Sequence, residues 1–306
     1  MILTPAVTAI AMSLVPVAPN KLTLVLLVLL SGISSSFFHV PSPVMMRKVS
    51  GNRIGMGMSF YMVGGELARS AGPVAVLGAV ELWGLQGVTY FIPTGMLASV
   101  VLYFKLRKIS IAESVNAASG LEYLKTIRNF FPLITSIALI LFFRAAMKSA
   151  LTFYLPVFLN GRGESLWFSG IALSILQGAG VAGTFLAGTI SDKIGRRNAL
   201  LIASIGAPVL FFAFLYTTGW LQILALIATG LFLFASGPVF LAIVNEYKTA
   251  HNNFVNALFM TTTFLIGAIM VMVVGLMGDY FSLELTYKIV GAFAFLSVPV
   301  VLTMKK

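Results

Sequence analysis

The chain has 306 residues, 59% of them hydrophobic and only 9% charged, and a formal net charge of +11. A soluble domain carries about 25% charged residues, so with a mean hydropathy of +1.00 this is the sequence of an integral membrane protein of the cell membrane. It has no cysteine and two histidines, His39 and His251, far apart in the chain. That excludes disulfides, iron–sulfur clusters and thiolate zinc sites, and no metal or other cofactor is expected.

A spanning helix needs roughly 20 mostly apolar residues. In chain order the predicted spans are 2–18, 22–40, 55–78, 83–104, 131–158, 167–189, 199–217, 221–244, 254–277 and 286–303. Residues 2–18 admit a second reading as a signal peptide, although they lack a basic leading region. Residues 105–129 form the one long polar connection, with Leu121, Leu124, Ile127 and Phe130 at helical spacing. They predict a cytoplasmic amphipathic linker between a four-helix bundle, 1–104, and a six-helix bundle, 130–306.

The connections alternate in basic content. Of the 20 Lys and Arg, fourteen fall on the side of the N-terminus and three, Lys21, Arg162 and Lys288, on the other. By the positive-inside rule the N-terminal side is cytoplasmic. The basic excess therefore reports topology, and nucleic acid is not an expected partner. Glu246 and Lys248, at a cytoplasmic helix end, read as a weak surface pair.

The remaining three cations lie inside helices. Arg69 shares the middle of span 55–78 with Glu66, and Arg144 and Lys148 sit one turn apart in span 131–158. Each charge facing lipid near the bilayer centre would cost about 2.5–3.5 kcal/mol, or about 10–14 kcal/mol for the four. They must face protein or water. Arg144, Lys148 and Thr152 share one stripe of an α-helix, as Glu66 and Arg69 share another. A cavity of net positive sign suits an anionic or zwitterionic solute, with Arg144, Lys148 and Arg69 as substrate-binding residues and Glu66 as the proton carrier. The competing reading is a buried Glu66–Arg69 or Glu66–Arg144 ion pair that only keeps helices in register.

Glycine followed by an acid recurs at three helix-to-helix turns: "GAVELWG" at 78–84, "GTISDKIG" at 188–195 and "GLMGDYFS" at 275–282. Glu81 and Asp279 are 198 positions apart, as are Gly32 and Gly230. That period places the counterpart of the middle motif just before Met1. Ten helices then read as a twelve-helix, two-bundle design lacking its first two.

The stretch "GTISDKIGRRNAL", Gly188 to Leu200, resembles the cytoplasmic signature of the major facilitator superfamily. Three further stretches, "FFHVPSPVMMRKVSGNRIG", "GGELARSAGP" and "FFRAAMKSALTFYLPVFL", resemble its fosmidomycin-resistance group of exporters. The resemblance covers essentially the whole chain. It implies an all-α secondary transporter, an antiporter working by proton-coupled efflux and alternating access on a small solute or drug, with no enzymatic activity. It also implies a gating role for Gly188, Asp192, Gly195, Arg196 and Arg197. Asp192 can meet Arg196 or Arg197 beside a helix N-terminus and latch the cytoplasmic face; the alternative is a basic loop that only fixes orientation. Gly64, Gly65 and Gly72 match part of an antiporter signature, and close packing explains them as well, as it does Gly178, Gly180 and Gly183. A non-transporting sensor or assembly protein on the same fold is the second functional reading. No nucleophile–base–acid constellation supports an intramembrane enzyme, and no catalytic or metal residue is expected. The expected partners are a small-molecule substrate, the lipid bilayer and protons.

Overall fold

A computed structural model of the chain describes residues 1–39, 41–49, 54–107, 120–247, 249 and 251–304. Among these residues every regular element is helical. Residues 108–119 of the expected linker, Val40 of the second span, Lys248, Lys305 and Lys306 lie outside the described residues. The chain divides into two compact units, Met1–Met58 with Ala75–Ala117, and Ser59–Val74 with Ala118–Lys306.

The first unit holds α1 (Thr4–Leu14), α2 (Lys21–His39), α3 (Pro41–Val49), both ends of α4 (Ile54–Trp83) and α5 (Ile92–Leu106). Short 3₁₀ turns at Val15–Val17 and Leu85–Phe91 join them. With apolar side chains on every face, small polar residues supply the specific contacts. The Thr8 hydroxyl donates to Ser34 Oγ at 2.9 Å, and Ser34 donates to the Thr4 carbonyl at 3.0 Å. The amide of Ala6 donates to Ser99 Oγ at 2.9 Å.

The second unit contains the middle of α4, then α6 (Gly120–Ser149), a π-turn (Ala150–Tyr154), α7 (Leu155–Gly161), α8 (Leu166–Ile194), α9 (Arg196–Tyr216) and α10 (Gly219–Glu246). It closes with α11 (Asn252–Phe281), α12 (Leu283–Ala294) and α13 (Ser297–Thr303). Helix α10 packs along α8 and α9. The approach to α8 is close because glycine faces the partner backbone on both sides: a Cβ on Gly230 would lie 2.5 Å from the Leu176 carbonyl oxygen, and one on Gly183 would strike the Leu231 backbone. Phe158 stacks on the fully buried Tyr287 at 4.1 Å between ring centroids, with Phe211 and Phe214 alongside.

The π-turn breaks the predicted 131–158 helix at a point the chemistry explains. Pro156 has no N–H and cannot serve the carbonyl four residues back. The ladder loosens by one residue there, and within the π-turn the Ala150 carbonyl accepts from the Tyr287 hydroxyl at 2.8 Å. Thr152, expected to share the stripe of Arg144 and Lys148, lies inside this turn. The other long difference lies at the start of α6. Residues 120–129, assigned from sequence to the linker, are continuous with the membrane-spanning part of that helix.

Three helix ends repeat one backbone device. Three residues after Glu81, Asp192 and Asp279 stand Gly84 (φ 68, ψ −172), Gly195 (φ 86, ψ 150) and Ser282 (φ 80, ψ 150). That region is favourable only for glycine, and the third copy fills it with serine. The Ser282 hydroxyl accepts from the Leu285 amide at 3.4 Å and so caps α12.

Among the described residues eight helical segments are long and apolar enough to cross a membrane, and Thr4–Val17 is a shorter apolar helix. Helix α4, at 30 residues, is longer than a bilayer requires but carries Glu66 and Arg69 at its centre.

Candidate functional site

The middle of α4, which belongs to the second unit, carries two charges. Arg69 donates to Glu66 Oε1 at 2.6 Å, one helical turn apart. The two ends of this pair differ in environment: the Glu66 side chain is 7% exposed and that of Arg69 52%. Glu66 Oε2 is buried and, among the described residues, has no hydrogen-bond partner. One turn further along α4 the Ser70 hydroxyl donates to the Ser174 carbonyl at 3.0 Å, tying this face to α8.

On α6, Arg144 and Lys148 occupy unlike positions although one turn separates them. Arg144 is buried and its guanidinium is engaged inside the unit. Nη1 donates to Ser204 Oγ on α9 at 3.2 Å, and Nη2 donates to the Phe232 and Leu233 carbonyls of α10 at 3.3 Å each. Lys148 is exposed and lies within electrostatic reach of Glu66, Arg69 and Arg144. Its ammonium is 4.9 Å from the centroid of the Phe234 ring.

The four intramembrane charges are thus brought together on α4 and α6. Arg69 and Lys148 keep exposed surface at mid-helix, a costly placement in hydrocarbon. Glu66 makes the register-type contact with Arg69, and Arg144 is held by neutral acceptors. Among the described residues, further buried oxygens lack a hydrogen-bond partner: Thr152 Oγ1 in the π-turn, and Ser174 Oγ and Gln177 Oε1 on α8. Gln177, which is 3% exposed, is not among the site residues expected from the sequence. An amide in the middle of an apolar span is the signal that could have found it.

At one end of the unit, Gly195 makes the turn from α8 into α9, and Arg196 gathers the acids around it. Arg196 Nη2 is 2.6 Å from Asp192 Oδ1 and 2.7 Å from Glu246 Oε1, and its Nη1 donates to Ser191 Oγ. Arg197 donates to the Leu302 carbonyl of α13. All these partners belong to the second unit. Gly188 stands one turn before Asp192, and its carbonyl accepts from Ser191 at 2.9 Å. Glu246 is the member that the sequence does not assign to this cluster: fifty positions separate it from Arg196, and no local spacing announces the pair. Among the described residues no group of three or more His, Asp or Glu is placed to hold a metal ion.

A family model described as Major Facilitator Superfamily matches residues 1–270. The chain is 32% identical over 271 residues to the fosmidomycin resistance protein of Escherichia coli K12, covering 85% of this chain. It spans 65% of that relative's length. Among solved structures, the E. coli fucose:proton symporter matches with a TM-score of 0.65 at 14% identity, over 100% of this chain and 83% of the symporter. A D-xylose–proton symporter matches with a TM-score of 0.76 at 13% identity, over 100% and 79% of the two chains. At such identities the solved structures speak for the fold alone, and the fold they share is the all-helical one expected from the sequence.

Proposed function

We propose, starting from the fact that the chain belongs to the Major Facilitator Superfamily, that it exports a small anionic solute in exchange for protons. The family sets the coarse answer: the protein is a multi-pass membrane transporter and not an enzyme. The finer reading is supported by one observation above the others. Glu66 gives one carboxylate oxygen to Arg69 and keeps the other buried and unpartnered. The free oxygen leaves Glu66 a position at which a proton can be carried, and two exposed cations beside it favour an anion.

The sequence relative is a fosmidomycin resistance protein, and fosmidomycin is a phosphonate, an anion at neutral pH. In the proposed cycle the anion engages Lys148 and Arg69, drawing Arg69 from Glu66. The bundles then rock to expose the site on the other side, where Glu66 accepts a proton as the anion leaves and carries it back on the return. Arg144, with its donors occupied, contributes a fixed positive charge behind the site. The cluster around Arg196 acts at the cytoplasmic face as a gate whose ion pairs form in one state and part in the other.

The reading is tested in liposomes containing the protein and an imposed pH gradient. Labelled fosmidomycin should accumulate in response to the gradient, and Glu66→Gln should abolish that response while leaving insertion intact. Accumulation that ignores the gradient in the unmodified protein would remove the proton from the mechanism.

A further inference from the structure

Arg69 and Lys148 are the exposed cations of the cluster, and they are restrained by different means. Arg69 has a carboxylate at 2.6 Å. The ammonium of Lys148 rests against an aromatic face, 4.9 Å from the centroid of Phe234. That ring is itself buried, at 4% exposure. Its position is set from two further directions. On one side is Gly180 of α8, where an added Cβ would lie 2.5 Å from Phe234 Cδ2; only a residue without a side chain lets the ring sit there. On the other is Arg144, which holds the carbonyls of the two residues immediately before Phe234. The turn of α10 that carries the ring is therefore pinned to α6, one turn from the lysine it serves.

A lysine on its four-carbon stem has many rotamers, and a free ammonium in a wet cavity would have to be ordered each time an anion arrives. An ammonium already held over a ring face avoids that loss. We propose that Phe234 is a positioning residue that parks the Lys148 ammonium in the unloaded site, with Gly180 and Arg144 fixing the ring, so that an entering phosphonate or carboxylate meets a cation already in place. This rests on the anion-transport reading above and names the device that sets the affinity of its site. The contribution expected of a cation–π contact corresponds to about 3- to 30-fold in affinity.

The test uses the protein in liposomes with fosmidomycin as probe, and the same variants in detergent with an amine-reactive reagent read by mass spectrometry. Phe234→Leu removes the ring face and should raise KM about 3- to 30-fold with Vmax unchanged, whereas Phe234→Tyr, which keeps the face, should stay within about twofold. Gly180→Ala displaces the ring and should raise KM in the same direction, with no further increase when combined with Phe234→Leu. In the unloaded protein, Lys148 should be labelled several-fold faster in Phe234→Leu than in the unmodified chain. An unchanged labelling rate, or a loss of Vmax and thermal stability with KM unmoved, would overturn the proposal and leave Phe234 as packing. If the unmodified protein shows no saturable fosmidomycin uptake, the transport reading fails instead, and the labelling rates alone then decide whether the lysine is parked.

Discussion

The hydroxyl of Tyr287 donates to the carbonyl of Ala150 across 2.8 Å, in a part of the second unit where the tyrosine has no solvent exposure. The bond joins α12 to the one stretch of α6 and α7 whose own ladder is loosened. Tyr287→Phe keeps the stack on Phe158 but leaves a buried carbonyl short of a donor. We expect thermal stability to fall by about 1–3 kcal/mol, measured by unfolding in detergent. A change near zero would mean that water or the chain itself serves Ala150.

Arg144 rests on neutral acceptors, which fixes what its removal can do. Arg144→Leu strands no opposite charge, so the penalty of about 3–5 kcal/mol for a broken buried ion pair does not apply. The loss should be confined to unmet hydrogen bonds, about 1–3 kcal/mol, partly offset by removing a mid-membrane charge. Adding Glu66→Gln should restore nothing, the two changes being additive within about 0.5 kcal/mol. Recovery of stability in the double variant would reveal an Arg144–Glu66 pair in another state of the protein. Arg144→Lys cannot reach Ser204 and α10 together and should behave as a partial loss.

At the turn from α8 into α9 a single guanidinium serves Asp192, Glu246 and Ser191. The acids are more than half exposed, so each pair contributes under about 1 kcal/mol to stability. Asp192→Asn and Glu246→Gln should therefore leave expression and unfolding unchanged. If the cluster is a gate, both should lower transport several-fold, and Arg196→Lys should do the same because a point charge replaces the fork. Transport at the normal rate in all three would reduce the loop to a determinant of orientation.

Ser282 occupies backbone space that its two counterparts give to glycine. Ser282→Gly should relieve about 1–3 kcal/mol of strain and forfeit only a few tenths of a kcal/mol of cap at the start of α12. The expected result is a higher unfolding temperature with transport unaffected. A lower one would show that the capping hydroxyl outweighs the strain.

The spans are legible in the sequence because a bilayer imposes length and apolarity on a helix whatever its neighbours are. So is the repeat: the spacing from Glu81, Asp192 and Asp279 to the next turn is the same in each copy, and the backbone repeats with it. The π-turn is only half legible. Pro156 marks a missing donor, but the tyrosine that bonds the Ala150 carbonyl comes from 137 positions further along the chain. Arg144 illustrates a deeper limit. Its charge can be placed in the membrane from spacing alone, yet its acceptors on α10 are main-chain carbonyls, which every residue possesses and no sequence pattern distinguishes. Lys148, by contrast, has Phe234 as a partner in an ordinary apolar run, where aromatic residues are common enough to carry no signal.

The unbroken start of α6 at Gly120 has a consequence for the surrounding lipid. The helical run from Glu122 to Gly161 is 40 residues, about 60 Å at 1.5 Å per residue, against a hydrocarbon layer of about 30 Å. Roughly half of it must stand outside the oil, and the exposed Lys125 and Arg128 mark the end that does. Arg128 and Lys125 stand 20 and 23 positions before Lys148, about 30 and 35 Å along the axis, twice the half-thickness of the hydrocarbon layer. With Lys148 at mid-membrane, the basic end of this rod therefore reaches past the lipid into water as one rigid piece.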